Sequence, residues 1–206
     1  MDPSAIDPAV LSVIQDYEAR AERENALPEE EHARRRDEML LPVGRATGTL
    51  MNLLIREAKA RRILEVGSSF GYSTTWLADA ARAVDGKVVS LELRAPKTEY
   101  AHQQLSRAAL ERYVEFRVGD ALASLKGLSG PFDFVLIDLW KDLYVPVFEQ
   151  LQGKLAPGAL IVADNMLYPE SALAHARAYR ERVRTTDGMS SVLLPVGNGI
   201  ELSRYR

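Results

Sequence analysis

The stretch "RRILEVGSSFGYS", residues 61–73, decides the fold because it joins a strand, a glycine turn and the start of a helix. The run from Ile63 to Val66 predicts a buried strand, and Gly67 and Gly71 predict a tight turn before a helix that starts near Ser73. Four more strands alternate with helices downstream, in "KVVSLEL", "VEFRVGD", "FDFVLID" and "GALIVADN". This alternation predicts an α/β fold with a doubly wound, mostly parallel sheet covered by helices on both faces.

The C-terminal end breaks this alternation. Two strand-like segments, "SVLLPV" and "IELSRY", flank the turn Gly197-Asn198-Gly199. Glycine and asparagine tolerate positive φ, so the segment predicts a β-hairpin. The last strand is therefore expected to run antiparallel to its neighbour.

Composition limits the class of protein. The chain has 206 residues, 47% of them hydrophobic, which is enough for one domain with a substantial core. A net charge of -3 gives no basic excess for a nucleic-acid partner, and the absence of cysteine excludes disulfides and thiolate metal sites. The N-terminus shows no secretory signal, and no apolar run is long enough to span a membrane. We expect a cytoplasmic protein.

The N-terminal segment, residues 1–42, is expected to be helical. Asp7-Pro8 predicts a helix start, and the stretch that follows is dense in both charges. One interpretation is a solvated helical pair broken at Pro28. The other is a mobile cover over a site, and the residues alone do not decide between them.

Acidic residues stand at the predicted carboxyl ends of all five parallel strands, where ligands bind in open α/β sheets. They are Glu65, Glu92, Asp120, Asp138 and Asp164. The first turn is similar to a nucleotide loop, but Ser69 and Tyr72 occupy the second and third glycine positions of the dinucleotide pattern. Glu92 lies 25 residues after Gly67, where a carboxylate can bind ribose hydroxyls. The pocket suits an adenosine better than a diphosphate. Two alternative functions remain: a dinucleotide oxidoreductase, and a protein that binds an adenosine-containing ligand for sensing.

Oxygen donors follow the fourth and fifth strands. Asp138, Asp164 and Asn165 together suit a hard cation such as Mg²⁺, provided that the two strand ends lie side by side. Each element also has a structural interpretation: Asp-Asn as a turn or helix cap, Lys141 as a solvated side chain and Trp140 as a core residue. A methyltransferase without a metal, in which both aspartates are only structural, is the nearest alternative.

Four segments carry a resemblance to a known family. "VGRATGTLMNLLIRE", "ILEVGSSFGYS", "DFVLIDLWKDLY" and "LIVADN" occur in the order and spacing of the Mg²⁺-dependent, S-adenosylmethionine-dependent O-methyltransferases, which include catechol and caffeoyl-CoA O-methyltransferases. The pair "D-x-W-K-D-x-Y" and "A-D-N" is the specific part. The resemblance implies a class I methyltransferase domain over residues 43–206 behind a helical cover of residues 1–42. It also implies a seven-stranded sheet whose last strand is antiparallel.

The resemblance also implies the roles of individual residues. Asp138, Asp164 and Asn165 would hold Mg²⁺, Lys141 would be the general base, and Asp138 would share in catalysis. The cofactor S-adenosylmethionine would contact Val43, Glu65, Gly67, Ser68, Phe70, Ser73, Glu92, Leu93, Gly119, Asp120, Ala121, Asp138 and Trp140.

Two positions depart from the catechol enzyme. Val192 stands where that enzyme has a glutamate that contacts the second hydroxyl, and Leu139 stands where it has a histidine. The expected substrate is therefore a small vicinal phenolic, with its exact structure open. A homodimer is a further expectation, since dimers are common among bacterial relatives of this family.

Overall fold

The computed structural model describes residues 6–206, except for the side chains at positions 32 and 33. The first five residues, on which the expectation about a secretory signal partly rests, lie outside the described residues. Eight α-helices are found within this range: α1 Pro8–Asn25, α2 Glu29–Arg34, α3 Arg45–Ala58, α4 Tyr72–Val84, α5 Ala95–Arg107, α6 Ala121–Lys126, α7 Tyr144–Leu151 and α8 Leu173–Arg184. None of these helices combines the length and apolar character needed to cross a membrane.

The described strands form one seven-stranded sheet in the order β3-β2-β1-β4-β5-β7-β6. Their bounds are β1 Arg62–Val66, β2 Lys87–Glu92, β3 Val114–Val118, β4 Phe132–Ile137, β5 Leu155–Ala163, β6 Met189–Leu194 and β7 Ile200–Tyr205. Strands β1 to β5 pair in parallel, and β7 pairs antiparallel with both β5 and β6. The predicted sheet and its antiparallel last strand are confirmed.

The strand residues alternate between two cores, as the twofold period of a strand requires. Ile63 and Phe134 face one cluster, which contains buried side chains of α1, α3, α4 and α5. Leu64 and Val135 face the other, which contains side chains of α6, α7 and α8. This double cover makes the sheet a rigid base for the loops at its carboxyl edge.

Helix α1 belongs to the first core. Asp7 caps it by accepting a hydrogen bond from the Ala9 N–H at 2.8 Å, and proline stands at its start as predicted. Val10, Ile14 and Tyr17 on its inner face are buried. The break before α2 falls at Pro28, which the sequence also predicts. The first helix is therefore only partly solvated, because its apolar face packs against α4 and α5.

Candidate active site

The ends of β4 and β5 lie side by side. Ile137 pairs with Ala163 at the last position of the two strands, so the residues that follow, Asp138 and Asp164, leave the sheet together. The Asp164 N–H donates to the Ile137 carbonyl at 3.1 Å, which fixes this register. The expectation that the two strand ends are neighbours is confirmed.

Asn165 turns its amide oxygen back toward this pair of strand ends. Its φ of 54° lies in the left-handed region, which asparagine tolerates better than most residues. Its Oδ1 accepts a hydrogen bond from the Lys141 Nζ at 3.1 Å. The structure therefore brings Asn165 and Lys141 together as the sequence predicts.

Burial disfavours the charged form of both aspartates, and Lys141 offsets this only in part. Burial raises the pKa of Asp164 to about 8, and the nearby charge of Asp138 adds to the increase. Burial also raises the pKa of Asp138, although Lys141 opposes this. Two carboxylates this close favour a shared proton or a cation between them.

Asp164 shows the fit to a metal most clearly. Its Oδ1 is buried and has no hydrogen-bond partner among the described residues. A buried carboxylate oxygen without a donor is costly, and a cation would satisfy it. Within residues 6–206, no three His, Cys, Asp or Glu side chains form a metal-holding group, so the set of Asp138, Asp164 and Asn165 relies on an amide oxygen as its third ligand. Such an all-oxygen set suits Mg²⁺.

Lys141 is held in place by three acceptors. Its Nζ donates to the Tyr144 hydroxyl at 2.6 Å and to the Leu139 carbonyl at 3.2 Å, in addition to Asn165. Burial lowers the pKa of Lys141, and the positive charge of Arg36 lowers it further, while the two aspartates oppose the change. A lysine with a lowered pKa can exist as the neutral amine that a general base requires. The interpretation of Lys141 as a solvated side chain is wrong.

Tyr144 is a site residue to which the sequence interpretation gave no role. It is fully buried, and its hydroxyl donates to the Asp164 carbonyl at 3.2 Å while it accepts from Lys141. It thus connects the lysine to the backbone at the end of β5. The motif "D-x-W-K-D-x-Y" ends on this tyrosine, and that was the available signal.

Gly67 packs the loop after β1 against the end of β4. Its φ is 95°, and a Cβ at this position would lie 2.1 Å from the carbonyl oxygen of Asp138. Only glycine allows both the backbone conformation and this close approach. The loop that the sequence assigns to the cofactor is therefore packed directly against Asp138.

Glu65 is buried inside the sheet layer, which corrects its predicted place on the open rim. It is 0% exposed, and its carboxylate accepts hydrogen bonds at 2.6 Å from the hydroxyls of Ser73, Thr74 and Ser90. Burial raises the pKa of Glu65 to about 7 even though the three hydroxyl donors oppose it. Both of its oxygens are engaged, so the carboxylate fixes the start of α4 through Ser73 and Thr74.

Glu92 and Asp120 organise the neighbouring loops. Glu92 accepts from the backbone N–H of Ser69 at 2.9 Å and of Arg94 at 3.0 Å. The N–H of Gly119 donates to the Glu92 carbonyl at 2.9 Å. Asp120 caps α6 by accepting from the Ala123 N–H at 2.8 Å. The rim loops after β1, β2 and β3 are therefore tied to one another.

A narrow cleft joins several predicted cofactor residues. Its lining includes Val43, Gly67, Ser68, Ser73 and Asp138, together with residues 40–42 of the N-terminal segment. Its volume of about 10 Å³ would hold roughly one water molecule. A larger open depression of about 580 Å³ lies at the start of β5 and contains none of the predicted site residues. The cleft as the structure describes it is too small for a nucleoside-sized ligand.

Eight predicted cofactor residues lie outside the lining of this cleft: Glu65, Glu92, Gly119 and Asp120, which are described above, and four others. The Phe70 ring packs edge-on against Tyr100, with ring centroids 5.6 Å apart. Leu93 is 66% exposed, and Ala121 is partly buried as the first residue of α6. Trp140 is 56% exposed, so its interpretation as a core residue is wrong. Any contact of these residues with a cofactor requires a ligand that extends beyond the cleft.

Comparisons with known sequences show which protein family the chain is similar to. A family model described as O-methyltransferase matches residues 22–206, so the match begins within α1 and not at Val43. The catechol O-methyltransferase of Mycobacterium tuberculosis is 38% identical over 137 residues, which are 66% of this chain and 62% of that protein. The catechol O-methyltransferase of Niastella koreensis is 36% identical over 124 residues, 58% of this chain and 56% of that protein. The matches thus span less than two thirds of these two relatives. Caffeoyl-CoA O-methyltransferase 2 of Eucalyptus globulus is 31% identical over 179 residues, covering 76% of this chain and 72% of that protein.

Solved structures give the same result. An O-methyltransferase from Bacillus cereus in complex with SAH has a TM-score of 0.78 at 28% identity, and the match covers 98% of this chain and 92% of that one. The O-methyltransferase TomG from Streptomyces achromogenes, in complex with SAM, has a TM-score of 0.77 at 30% identity, with 97% and 90% covered. These matches decide against the alternative of a dinucleotide oxidoreductase. The chain belongs to the O-methyltransferase family.

Proposed function

We propose that this chain is an S-adenosylmethionine-dependent O-methyltransferase that methylates one hydroxyl of a vicinal diphenol and requires a divalent cation such as Mg²⁺. The observation that carries the proposal is the buried Oδ1 of Asp164, which has no donor among the described residues and lies beside Asp138 and Asn165. Two relatives named catechol O-methyltransferase support the acceptor class.

The cofactor would occupy the cleft between residues 40–43 and the glycine loop. Val43, Ser68 and Ser73 line this cleft beside Gly67. Glu92 is nearly buried at the next strand end, where its carboxylate would bind the ribose hydroxyls. The SAM and SAH complexes of the structural relatives support this choice of cofactor.

Asp138, Asp164 and Asn165 would hold the divalent cation. When bound, the cation would supply Lewis-acid chemistry that lowers the pKa of a phenolic hydroxyl and fixes its orientation. The chain itself then needs a base near that hydroxyl. Lys141 lies within hydrogen-bond distance of Asn165 and therefore directly beside the proposed ligands.

Methyl transfer from a sulfonium is an in-line displacement. S-adenosylmethionine, when bound, would supply the methyl group and keep the electron pair of the broken carbon–sulfur bond, and the neutral amine of Lys141 would take the proton of the acceptor hydroxyl. The chain contributes alignment, because Gly67 packs the cofactor loop against Asp138. It also contributes the base, because burial lowers the pKa of Lys141.

The direct test is turnover of catechol with the methyl donor, measured by chromatography of the methylated product. We expect product with Mg²⁺ present, at least a tenfold loss after EDTA treatment, and recovery when Mg²⁺ is restored in excess. Equal turnover after EDTA would exclude the metal requirement. The absence of methylation on every vicinal diphenol supplied with Mg²⁺ would exclude the acceptor class.

A further inference from the structure

Arg36 carries a charge that its surroundings leave uncompensated. The preceding residue, Arg35, pairs with Glu31 at 3.2 Å and with Glu38 at 3.3 Å. No carboxylate among the described residues lies within 4.0 Å of the Arg36 guanidinium, whose side chain is exposed. The charge of Arg36 is therefore available to an external anion.

The turn that carries Arg36 is anchored through the two residues that follow it. Asp37 pairs with Arg94 at 2.9 Å, and Arg94 itself donates its N–H to Glu92 at the strand end. The guanidinium of Arg20 donates to the Glu38 carbonyl at 3.0 Å. These contacts hold the turn over the carboxyl edge of the sheet, so the position of Arg36 is a consequence of the fold.

Arg36 lies at the mouth of the candidate active site. Its guanidinium carbon is 5.6 Å from the centroid of the Trp140 ring. Trp140 directly precedes Lys141 and follows Asp138 by two residues. A guanidinium at this distance from an indole ring is attracted by the ring, and its planar fork keeps N–H donors for an anion. The cation therefore lies beside the residue that precedes Lys141.

Exposed apolar side chains adjoin the same centre. Leu41 lines the cleft that contains Asp138, and Leu167 and Tyr168 follow Asn165 by two and three residues. All three are among the most exposed large apolar residues of the described chain. Apolar side chains exposed beside polar site residues are a common feature of sites that bind aromatic ligands.

We propose that Arg36 is a specificity-determining residue that binds an acidic substituent of the acceptor, so that the preferred substrate class is a vicinal diphenol carrying a carboxylate. The proposal rests on the proposed function and adds the identity of the acceptor. A carboxylate pairs with the guanidinium fork by two parallel hydrogen bonds, which a neutral substituent cannot do. The aromatic ring of the same acceptor would cover the exposed apolar side chains.

The test compares an acid with its neutral analogue. The probes are an ortho-dihydroxyphenylacetate and its methyl ester, which share the reacting ring and differ in charge. Both are assayed with wild type, Arg36→Gln and Arg36→Lys, and their binding is also measured by calorimetry with Mg²⁺ and S-adenosylhomocysteine. The matched control is Arg35→Gln, which removes the same charge from the neighbouring position.

We expect Arg36→Gln to lower kcat/KM for the acid about tenfold and to leave the ester within about twofold, as loss of one charged hydrogen-bonded contact would do. Arg36→Lys should recover part of the loss, and Arg35→Gln should change neither probe. Equal losses for acid and ester would overturn the inference, because Arg36 would then act by holding Trp140 or by lowering the pKa of Lys141. No loss for either probe would also overturn it while the proposed function stands. Should wild type methylate neither probe nor any other vicinal diphenol supplied with Mg²⁺, the proposed function fails, and unchanged binding of the acid to Arg36→Gln would then overturn the inference separately.

Discussion

The buried carboxylate of Glu65 gives the folding stability a pH dependence that one substitution should remove. Burial raises its pKa from 4.5 to about 7. Each pKa unit is worth about 1.4 kcal/mol, so ionised Glu65 costs the folded state about 3 kcal/mol. Because the folded pKa is the higher one, this stability is fully present below pH 4.5 and is lost as the pH rises through about 7.

The perturbation is Glu65→Gln, which keeps the shape and removes the titration. Asp138 and Asp164 titrate in both proteins, so their effects largely cancel when the two pH profiles are compared. We expect the unfolding free energy of wild type to fall by about 3 kcal/mol more than that of Glu65→Gln between pH 4.5 and 8. For a chain of this length the difference corresponds to about 6 to 12 °C in Tm.

The assay is urea unfolding at several pH values across this range, with melting temperatures as a second readout. The control is Glu99→Gln, since Glu99 is exposed on α5. Its profile should run parallel to that of wild type. A Glu65→Gln profile that falls as steeply as wild type would refute the assignment of the pH dependence to this buried carboxylate.

Three further substitutions test the site. Lys141→Met should lower kcat by a factor on the order of 10² to 10⁴. Calorimetry should show unchanged affinity for S-adenosylmethionine. A loss of affinity as large as the loss of kcat would contradict a role as base. Gly67→Ala should lower the unfolding free energy by about 3 kcal/mol or more, because its Cβ would meet the Asp138 carbonyl. The control Gly153→Ala, which has open space around its Cβ, should lower it by only about 1 kcal/mol. Equal losses in the two variants would count against the close approach of Gly67 to Asp138. Tyr144→Phe should lower kcat about tenfold through a misplaced Lys141, with Tm checked separately, and an unchanged kcat would remove its positioning role.

The sequence predicted the sheet and the strand ends because these depend on local patterns. Nearly continuous apolar runs mark β1 and β4, as expected for strands that are buried on both faces, and the two glycines of the last turn mark the hairpin. The neighbouring positions of Asp138 and Asp164 follow once the two strands are placed next to each other. The resemblance to a family supplied the remaining roles, which geometry alone would have left open.

What the sequence could not predict depends on register and on distant contacts. Glu65 pairs in register with Ser90 of β2, and this neighbour makes it a buried hydrogen-bonded group instead of a rim carboxylate. Phe70 packs against α5, which is 25 or more residues away along the chain. The position of Arg36 over Trp140 joins residues more than a hundred positions apart. Local patterns carry no information about such pairs.

The cation site can be tested by a titration with Mn²⁺ followed by electron paramagnetic resonance. We expect one tightly bound Mn²⁺ per wild-type chain, displaced by excess Mg²⁺. We also expect loss of this binding in Asp164→Asn and its retention in Asp142→Asn, where an exposed neighbouring carboxylate is neutralised. Equal tight binding by Asp164→Asn and wild type, or no tight binding by wild type, would contradict the account.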